Sequence, residues 1–181
     1  LHVSKEYLAV HSPVFEILFF GDFAEKDKEE VELKNVIYEE FLDLLHFIYI
    51  GKTKITDGNV IHIMKLADQF QMERVFEQAK QHFTDSEKFD ARTKFSIAVQ
   101  YNSVDILDNF LQSFTSATEL VQTLVEIYEC NSSRRLVDLS NHLPPTASAM
   151  VDLLQPFFEY FNFSEKMKAA VCDRIMKLGL Q

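Results

Sequence analysis

Apolar residues recur at helical spacing along most of the chain, and this pattern predicts a mostly helical protein. Near the start, SKEYLAV predicts a helix capped by Ser4, and a second helix begins at Ser12-Pro13. Serine favours the N-cap and proline favours the first helical position. Gly21 is a plausible end of the second helix. The residues expected to face its core side are Val14, Phe15, Leu18 and Phe19, with Phe20 unassigned.

Three longer helices are predicted next, because each apolar stripe persists over several turns. Gly51 ends the first, and Asp57 or Asn59 caps the second. In the first of these helices, the expected buried residues are Tyr38, Phe41, Leu42, Leu45, Ile48 and Tyr49. In the second they are Val60, Ile63, Met64, Ala67 and Phe70. In the third they are Met72, Val75, Phe76, Ala79 and Phe83. Two short strands are predicted as well, LHV at residues 1–3 and VEL at residues 31–33.

The second half of the chain predicts a string of helices. DARTKFSIAVQYN and SVDILDNFLQSF form a pair, opened by the capping residues Asp90 and Ser103, and TELVQTLVEIYE follows. After a loop-like stretch broken by Pro144-Pro145, the last two helical segments are MVDLLQPFFEYF and SEKMKAAVCDRIMKL. The last carries a stripe of Met167, Val171, Ile175 and Leu178.

The pattern therefore predicts an α+β fold that is mostly helical, divided into two parts. Residues 1–84 hold the small sheet and its flanking helices, and residues 85–181 form a helical C-terminal extension. The intervening sequence FTDSEKFD is short and polar, so we expect the two parts to pack together.

Composition narrows the classes of partner. Lysine and arginine number 18 against 28 aspartate and glutamate, a formal net charge of −10, which disfavours nucleic acid. No apolar run is long enough to span a bilayer, so no membrane partner is expected. Cys130 and Cys172 lie in helical segments without CxxC spacing, which predicts two buried, reduced thiols. Such thiols are typical of a reducing compartment, the cytoplasm or the nucleus.

Catalytic motifs are not evident. The six histidines have no metal-ligand spacing. Gly51-Lys52-Thr53 resembles the end of a phosphate-binding loop, but His46 stands where that loop needs its leading glycine. Ser12 beside His11 is better explained as a helix cap than as a nucleophile. We therefore expect a protein-interaction module with no enzymatic activity, no metal and no cofactor.

Phe23 stands out, because it follows Gly21 where a helix should have ended, and it opens the charged run AEKDKEEVE. Such a run is usually a solvated loop. A large ring in that position is covered either by the domain's own core or by a partner, and the sequence leaves both open. Carboxylates beside an exposed ring fit the pattern of a binding anchor with a polar rim.

Four blocks in the first half resemble the BTB/POZ domain, an α/β interaction fold. The matching positions are Leu8, Ser12 and Phe15; the strand VEL; Leu44, Phe47, Ile48, Tyr49 and Gly51; and Ala67, Asp68, Phe70 and Met72. Two features depart from the family: its strand before LHV is missing, and Ser4 stands where many members have histidine. We therefore expect an N-terminally incomplete domain. The segment VSKEYLAVHSPVF is most similar to nematode BTB proteins. Some of these proteins carry a MATH domain, and such a domain would lie outside this sequence.

The resemblance implies an adaptor that forms homodimers and delivers a substrate protein to a cullin-RING ubiquitin ligase. Family members that bind a cullin scaffold protein tend to carry a hydrophobic-x-Glu motif after the Ser-x-x-Phe helix, and Phe23 and Glu25 occupy the matching positions. The helix pair at residues 90–115 matches the family's additional cullin-contacting helices. The substrate is unknown. The alternative is a dimerisation or scaffold module with no link to ubiquitination.

Overall fold

The computed structural model describes residues 1–21, 30–50, 54–132, 144 and 146–179. The chain divides into two compact units, Leu1–Lys88 and Phe89–Gln181. The first unit carries α1 (Lys5–His11), α2 (Pro13–Phe20), α3 (Tyr38–Ile50), α4 (Val60–Gln69) and α5 (Glu73–Asp85). The second carries α6 (Ala91–Gln100), α7 (Val104–Gln112), α8 (Ala117–Ser132), α9 (Ala147–Leu153), α10 (Gln155–Tyr160) and α11 (Glu165–Gly179). The mostly helical prediction is confirmed.

The first two helices begin where their capping residues predict. The Ser4 hydroxyl accepts a hydrogen bond from the Tyr7 N–H at 3.1 Å. The Ser12 hydroxyl accepts one from the Phe15 N–H at 3.1 Å, and Pro13 occupies the first turn of α2. These bonds satisfy amide donors that the first turn of a helix leaves without a partner. The predicted cap positions of Ser4 and Ser12 are confirmed.

A cluster of phenylalanines forms the centre of the first unit. Phe15 stacks on Phe70 with ring centroids 4.5 Å apart and on Phe19 at 5.5 Å. Phe41 meets Phe70 edge to face at 5.8 Å. The Ser12 hydroxyl, itself fully buried, donates a hydrogen bond to the Phe70 carbonyl. This cluster joins α2, α3 and the end of α4 through apolar contact and one buried polar bond.

The predicted core of α4 is confirmed in full, but the predicted face of α3 needs a correction. Tyr38 and Tyr49 are exposed, at 57% and 37%, whereas Leu44 is fully buried. The buried positions of α3 are Phe41, Leu44 and Leu45, which lie within a single turn of one another. The stripe is therefore narrower than the spacing predicted, because only the middle of α3 meets the phenylalanine cluster and α4.

The small sheet is not confirmed. Residues 1–3 and 30–33 form no strand, and the described residues provide no hydrogen-bonded ladder for either segment. The alternation at 31–33 is nevertheless retained, because Val31 and Leu33 are half-buried while Glu32 is exposed. A strand needs a paired backbone as well as an alternating pattern, and three residues of pattern do not supply it.

Asn59 lies at the N-cap of α4, but its side chain does not cap that helix. Its amide oxygen accepts from the Thr56 N–H at 2.7 Å, and its amide nitrogen donates to the Lys54 carbonyl at 3.2 Å. The side chain therefore holds the loop before α4. Of the two predicted cap residues, Asn59 does occupy the N-cap position, but its amide bonds the loop backbone and not the amides of the first turn of α4.

Helices end at non-glycine residues in the left-handed region, at Gln71, Asn102 and Asn162. At the first of these, the Met72 N–H bonds the Ala67 carbonyl at 2.7 Å and the Gln71 N–H bonds the Asp68 carbonyl at 3.0 Å. This is the paired bonding of a Schellman motif. The turn brings the Phe70 carbonyl to Ser12.

The second unit has its own phenylalanine core. Phe95 lies 5.6 Å from both Phe110 and Phe157, and Phe157 lies 5.5 Å from Phe163. The stripe of α11 is buried at Met167, Val171 and Ile175, and α11 packs against α7, α8 and α9.

Arg174 of α11 also ties the helices of this unit together. Its side chain donates hydrogen bonds to the carbonyls of Leu111 and Phe114, at 3.1 and 2.6 Å. These carbonyls lie at the end of α7 and just beyond it, where a helix leaves acceptors without partners.

Two expectations for the second half are wrong. MVDLLQPFFEYF is not one helix: α9 ends before Leu154 and α10 begins again, because Pro156 has no N–H to continue the hydrogen bonding. The cysteines are free but not buried, since Cys130 is exposed and Cys172 is half-buried. Cys130 lies off the buried face of α8, with its sulfur 3.9 Å from the Arg92 guanidinium.

We expect Ser12→Ala to lower the free energy of unfolding by about 2–3 kcal/mol, because it removes a helix cap and leaves the buried Phe70 carbonyl unsatisfied. Urea denaturation followed by circular dichroism measures the change. Ser4→Ala is the matched control, since the exposed Ser4 hydroxyl caps α1 and donates to the Glu6 carboxylate at the surface, and the substitution should cost about 1 kcal/mol. Equal losses in the two variants would show that the bond to Phe70 contributes nothing.

Candidate functional site

The helix α2 presents two different faces. Its inner face places Phe15 and Phe19 in the phenylalanine cluster, where they are 0% and 7% exposed. Its opposite side carries Pro13, Glu16, Ile17 and Phe20, which are all exposed and share one face by their spacing of three, four and seven residues. We refer to these four residues as the α2 outer face. Ile17 and Phe20 are 55% and 47% exposed, so two large apolar side chains lie in solvent one turn apart.

A groove of about 310 Å³ borders the α2 outer face. One wall consists of Val10, Pro13 and Glu16, and the other comes from the turn between α4 and α5, with Glu73 and Arg74. Val10 is 83% exposed, the highest value among the exposed large apolar residues. The apolar surface therefore continues from α2 across the end of α1.

Carboxylates accompany this apolar surface. Glu6 of α1 has its pKa lowered by its hydrogen bond to its own backbone N–H and by the Ser4 hydroxyl, so it is ionised at neutral pH. Glu16 lies within the outer face itself, in the first turn of α2, where a negative charge also favours the helix. Arg74 and His11 also line the groove.

Phe23 and Glu25, the residues predicted to bind a partner, lie outside the described residues. The structure describes the chain up to Gly21, whose N–H donates to the Ile17 carbonyl at 2.9 Å and ends α2. The predicted end of the helix at Gly21 is thereby confirmed. In the sequence, Phe23 follows the last apolar residue of the α2 outer face by three positions.

The apolar spacing does not predict Val10 or Ile17 as surface residues. Both lie at positions outside the core stripe, and that offset is the signal in the sequence that could have identified them. The spacing does not assign Phe20 to either face, and its side chain is 47% exposed. An apolar residue off the buried stripe of a short helix marks either a second packing partner or a binding surface.

A second and larger groove, about 590 Å³, lies on the first unit between residues 1–3 and the segment 30–38. Its floor is formed by buried core residues, among them Leu8, Phe15 and Phe41. Its edges include the exposed residues Leu1 and Tyr38. This groove is therefore a second exposed apolar surface of the first unit, in addition to the α2 outer face.

The described residues contain no group of three or more histidine, cysteine, aspartate or glutamate side chains placed to hold a metal ion. Among the helices that the structure describes, none is long and apolar enough to cross a membrane. The helix pair predicted at residues 90–115 is formed by α6 and α7, capped by Asp90 and Ser103 through bonds to the Thr93 and Ile106 N–H groups.

Residues 1–87 match the model of the BTB/POZ domain family. The first unit is a BTB domain. Its core contains residues of the sequence blocks that carried the resemblance, because Leu8, Ser12, Phe15, Leu44 and Phe70 are all buried. The family assignment made from the sequence is confirmed.

The BTB domain and the second unit both have counterparts in curated relatives. The chain is 36% identical to BTB and MATH domain-containing protein 38 of Caenorhabditis elegans over 98% of its own length and 38% of that protein. It is 39% identical to BTB and MATH domain-containing protein 36 of the same organism, over 49% of this chain and 30% of that protein. The predicted similarity to nematode BTB proteins is confirmed.

A more distant similarity reaches outside the nematodes. Kelch-like protein 40 of Xenopus laevis is 36% identical over 38% of this chain, which corresponds to 11% of that protein. The chain spans less than two fifths of the length of each of these three relatives. The alignment with the first of these relatives covers 98% of the chain, so it extends through the second unit.

The end of the BTB domain is tied back to the loop before α4 through Asp57. Its carboxylate lies 3.1 Å from His82 Nε2 and 3.1 Å from Lys88 Nζ. Hydrogen bonds from the Ser86 side chain, then Lys88 and His82, hold the pKa of Asp57 below its usual value. The ionised carboxylate therefore links the loop at residues 54–59 to the last turn of α5 and the residues beyond it.

We expect Asp57→Asn to destabilise the BTB domain at neutral pH and to lose this effect in acid. Because the folded pKa is depressed, the stabilisation is present above the usual pKa of 3.8 and disappears as the pH falls through the lower folded value. Urea unfolding of both proteins between pH 7 and about pH 3 measures the difference. Asp85→Asn, on the exposed side of α5, is the control; the same pH profile in that variant would assign the effect to a general loss of charge.

Proposed function

We propose that the chain is a protein-interaction adaptor that links a cullin scaffold protein, through its BTB domain, to a substrate protein awaiting ubiquitination. The observation that carries the proposal is the α2 outer face, an exposed apolar surface at the end of which the sequence continues into Phe23 and Glu25. In the BTB family, the hydrophobic-x-Glu motif at this place is typical of cullin binding. The protein acts by binding and catalyses no reaction of its own.

The energetics favour a partner on the α2 outer face. Covering a large apolar side chain completely yields about 1.5–3 kcal/mol, so the exposed portions of Ile17 and Phe20 could contribute about 1 kcal/mol each. Adding Phe23 as an anchor and Glu25 as a charged rim gives the arrangement of a binding hot spot. Together these residues supply enough apolar contact for the centre of a modest interface.

The second unit supplies a further part of the proposed adaptor. By the family resemblance, the helix pair α6 and α7, which follows the BTB domain in the sequence, would correspond to the additional cullin-contacting helices of the family. The substrate protein is recognised by the C-terminal helices or by residues outside this chain, such as the MATH domains named in the relatives. The protein would act in the cytoplasm or the nucleus, where cullin-RING ligases meet their substrates.

The double variant Phe23→Ala, Glu25→Lys tests the cullin interaction. We expect it to weaken the affinity for a recombinant cullin N-terminal domain by at least about 30-fold, because it removes a hot-spot ring and reverses its neighbouring charge. A pull-down followed by titration calorimetry measures the loss, and the melting temperature should stay nearly unchanged. Met176→Ala with Glu119→Lys is the matched control, since both residues are exposed on helices of the second unit, α11 and α8, that lie outside the α6 and α7 pair.

Two outcomes contradict the proposal. If the wild-type protein binds no cullin domain at micromolar concentration, the chain is an assembly module without a ligase. If Phe23→Ala alone costs several kcal/mol of stability, the ring belongs to the domain's core and is not available to a partner.

Homodimerisation is the second candidate function, and the groove of about 590 Å³ favours it. Its edges expose Leu1 at 61% and Tyr38 at 57%, and a self-complementary apolar surface of this kind suits a two-fold interface. We expect the wild-type protein to sediment as a dimer at about 10 μM and Tyr38→Asp to sediment as a monomer, because a buried carboxylate opposes association. Tyr160→Asp, exposed on α10, is the control; a wild-type monomer contradicts this candidate.

A further inference from the structure

We propose that the partner surface that covers the α2 outer face is an apolar cleft rimmed by lysine and arginine, and that charge steers it onto the BTB domain. The inference rests on the proposed function for the identity of the partner, a cullin scaffold. Beyond that function, it specifies the chemistry of the partner's surface and the residues of this chain that bind to it.

Three apolar side chains of this chain would fill the partner's apolar cleft. Val10, Ile17 and Phe20 are exposed at 83%, 55% and 47%, on neighbouring turns of α1 and α2. Pro13 lies between Val10 and Ile17 in the sequence and lines the same groove as Val10. The helices that carry these residues are fixed from behind by the phenylalanine cluster and by Ser12, so the surface is formed before any partner arrives.

The charges around these side chains are mostly negative. Glu16 lies within the apolar stripe, and Glu6 occupies the exposed side of α1 one turn before Val10. On the far wall of the groove, Glu73 and Arg74 carry opposite charges, so that wall adds no net charge.

The first unit as a whole carries the same sign. Residues 1–88 contain seventeen acidic and ten basic side chains, which makes the whole unit negative. A partner that brought acidic residues to this surface would be repelled.

A basic rim follows from two physical requirements. The three apolar side chains need an apolar cleft to bury them, and the carboxylates at its edge need opposite charges, because like charges brought together cost affinity. Charges at the rim of an interface act mainly on the rate of association, whereas the buried apolar anchors act mainly on the rate of dissociation. The two groups of residues are therefore separable by kinetics.

Surface plasmon resonance with the immobilised chain and a cullin N-terminal domain separates the two groups. We expect Glu16→Lys to slow association by about 3-fold or more with dissociation nearly unchanged. Ile17→Ala and Phe20→Ala should instead speed dissociation by about 10-fold. Raising NaCl from about 50 to about 500 mM should slow association of the wild type by at least about 10-fold.

Matched controls guard against changes in folding. Glu119 is also an exposed first-turn glutamate, on α8, so Glu119→Lys repeats the charge reversal away from the surface. Met176→Ala on α11 repeats the loss of an exposed apolar side chain. Both controls should bind as the wild type does. If cullin binding is unchanged by salt and by Glu16→Lys, Ile17→Ala and Phe20→Ala, the inference is overturned and the proposed function is not affected.

If no cullin domain binds, the proposed function is contradicted, but the inferred chemistry of the partner surface is still open to test. A peptide probe then tests that chemistry directly. The probe is an amphipathic helical peptide with leucine on one face and lysine on the other, and its counterpart carries glutamate in place of lysine. We expect the lysine peptide to bind the wild type and Ile17→Asp to abolish its binding, whereas the glutamate peptide does not bind. Equal binding of both peptides, or binding that survives Ile17→Asp, overturns the inference.

Discussion

The first unit depends on the buried hydroxyl of Ser12. One side-chain oxygen accepts from the Phe15 N–H at the start of α2 and donates to the Phe70 carbonyl at the end of α4. These two bonds join helices that are far apart in sequence, and they do so beside the stacked rings of Phe15 and Phe70, 4.5 Å apart. A fully buried hydroxyl is tolerated only when both its donor and its acceptor capacity are used, so the site admits few alternative arrangements.

The direction of the α2 outer face follows from this constraint. Ser12 fixes where the helix starts, and the insertion of Phe15 and Phe19 fixes its rotation about its own axis. With those two quantities set, Glu16, Ile17 and Phe20 can only point away from the core. The exposed face is therefore a consequence of the same packing that stabilises the domain. Because the helix is already ordered, a partner that binds this face does not have to supply the conformational entropy cost of ordering it.

The sequence predicted the parts of the fold that are decided locally. Ser4, Ser12 and Asp90 were recognisable as caps because a capping side chain needs only the amides of the next turn. The stops at Gln71 and Asn102 were not predicted, because their left-handed backbone is imposed by the packing that follows and not by glycine. Leu44 is buried and Tyr49 is exposed, the reverse of the predicted face of α3, because tertiary contacts and not helical spacing alone decide which positions of the helix are covered.

The candidate site divides along the same line. The place of Phe23 after a capped helix drew attention to it, and the family resemblance added Glu25. Ile17 was not singled out, because the spacing of one core stripe says nothing about the residues outside it. The structure adds that Val10, Ile17 and Phe20 are exposed together, although burying them within the unit would be favourable by the same hydrophobic term that buries Phe15. The core is buried without these three side chains, so their apolar surface beside the carboxylates can be buried only by association with a partner.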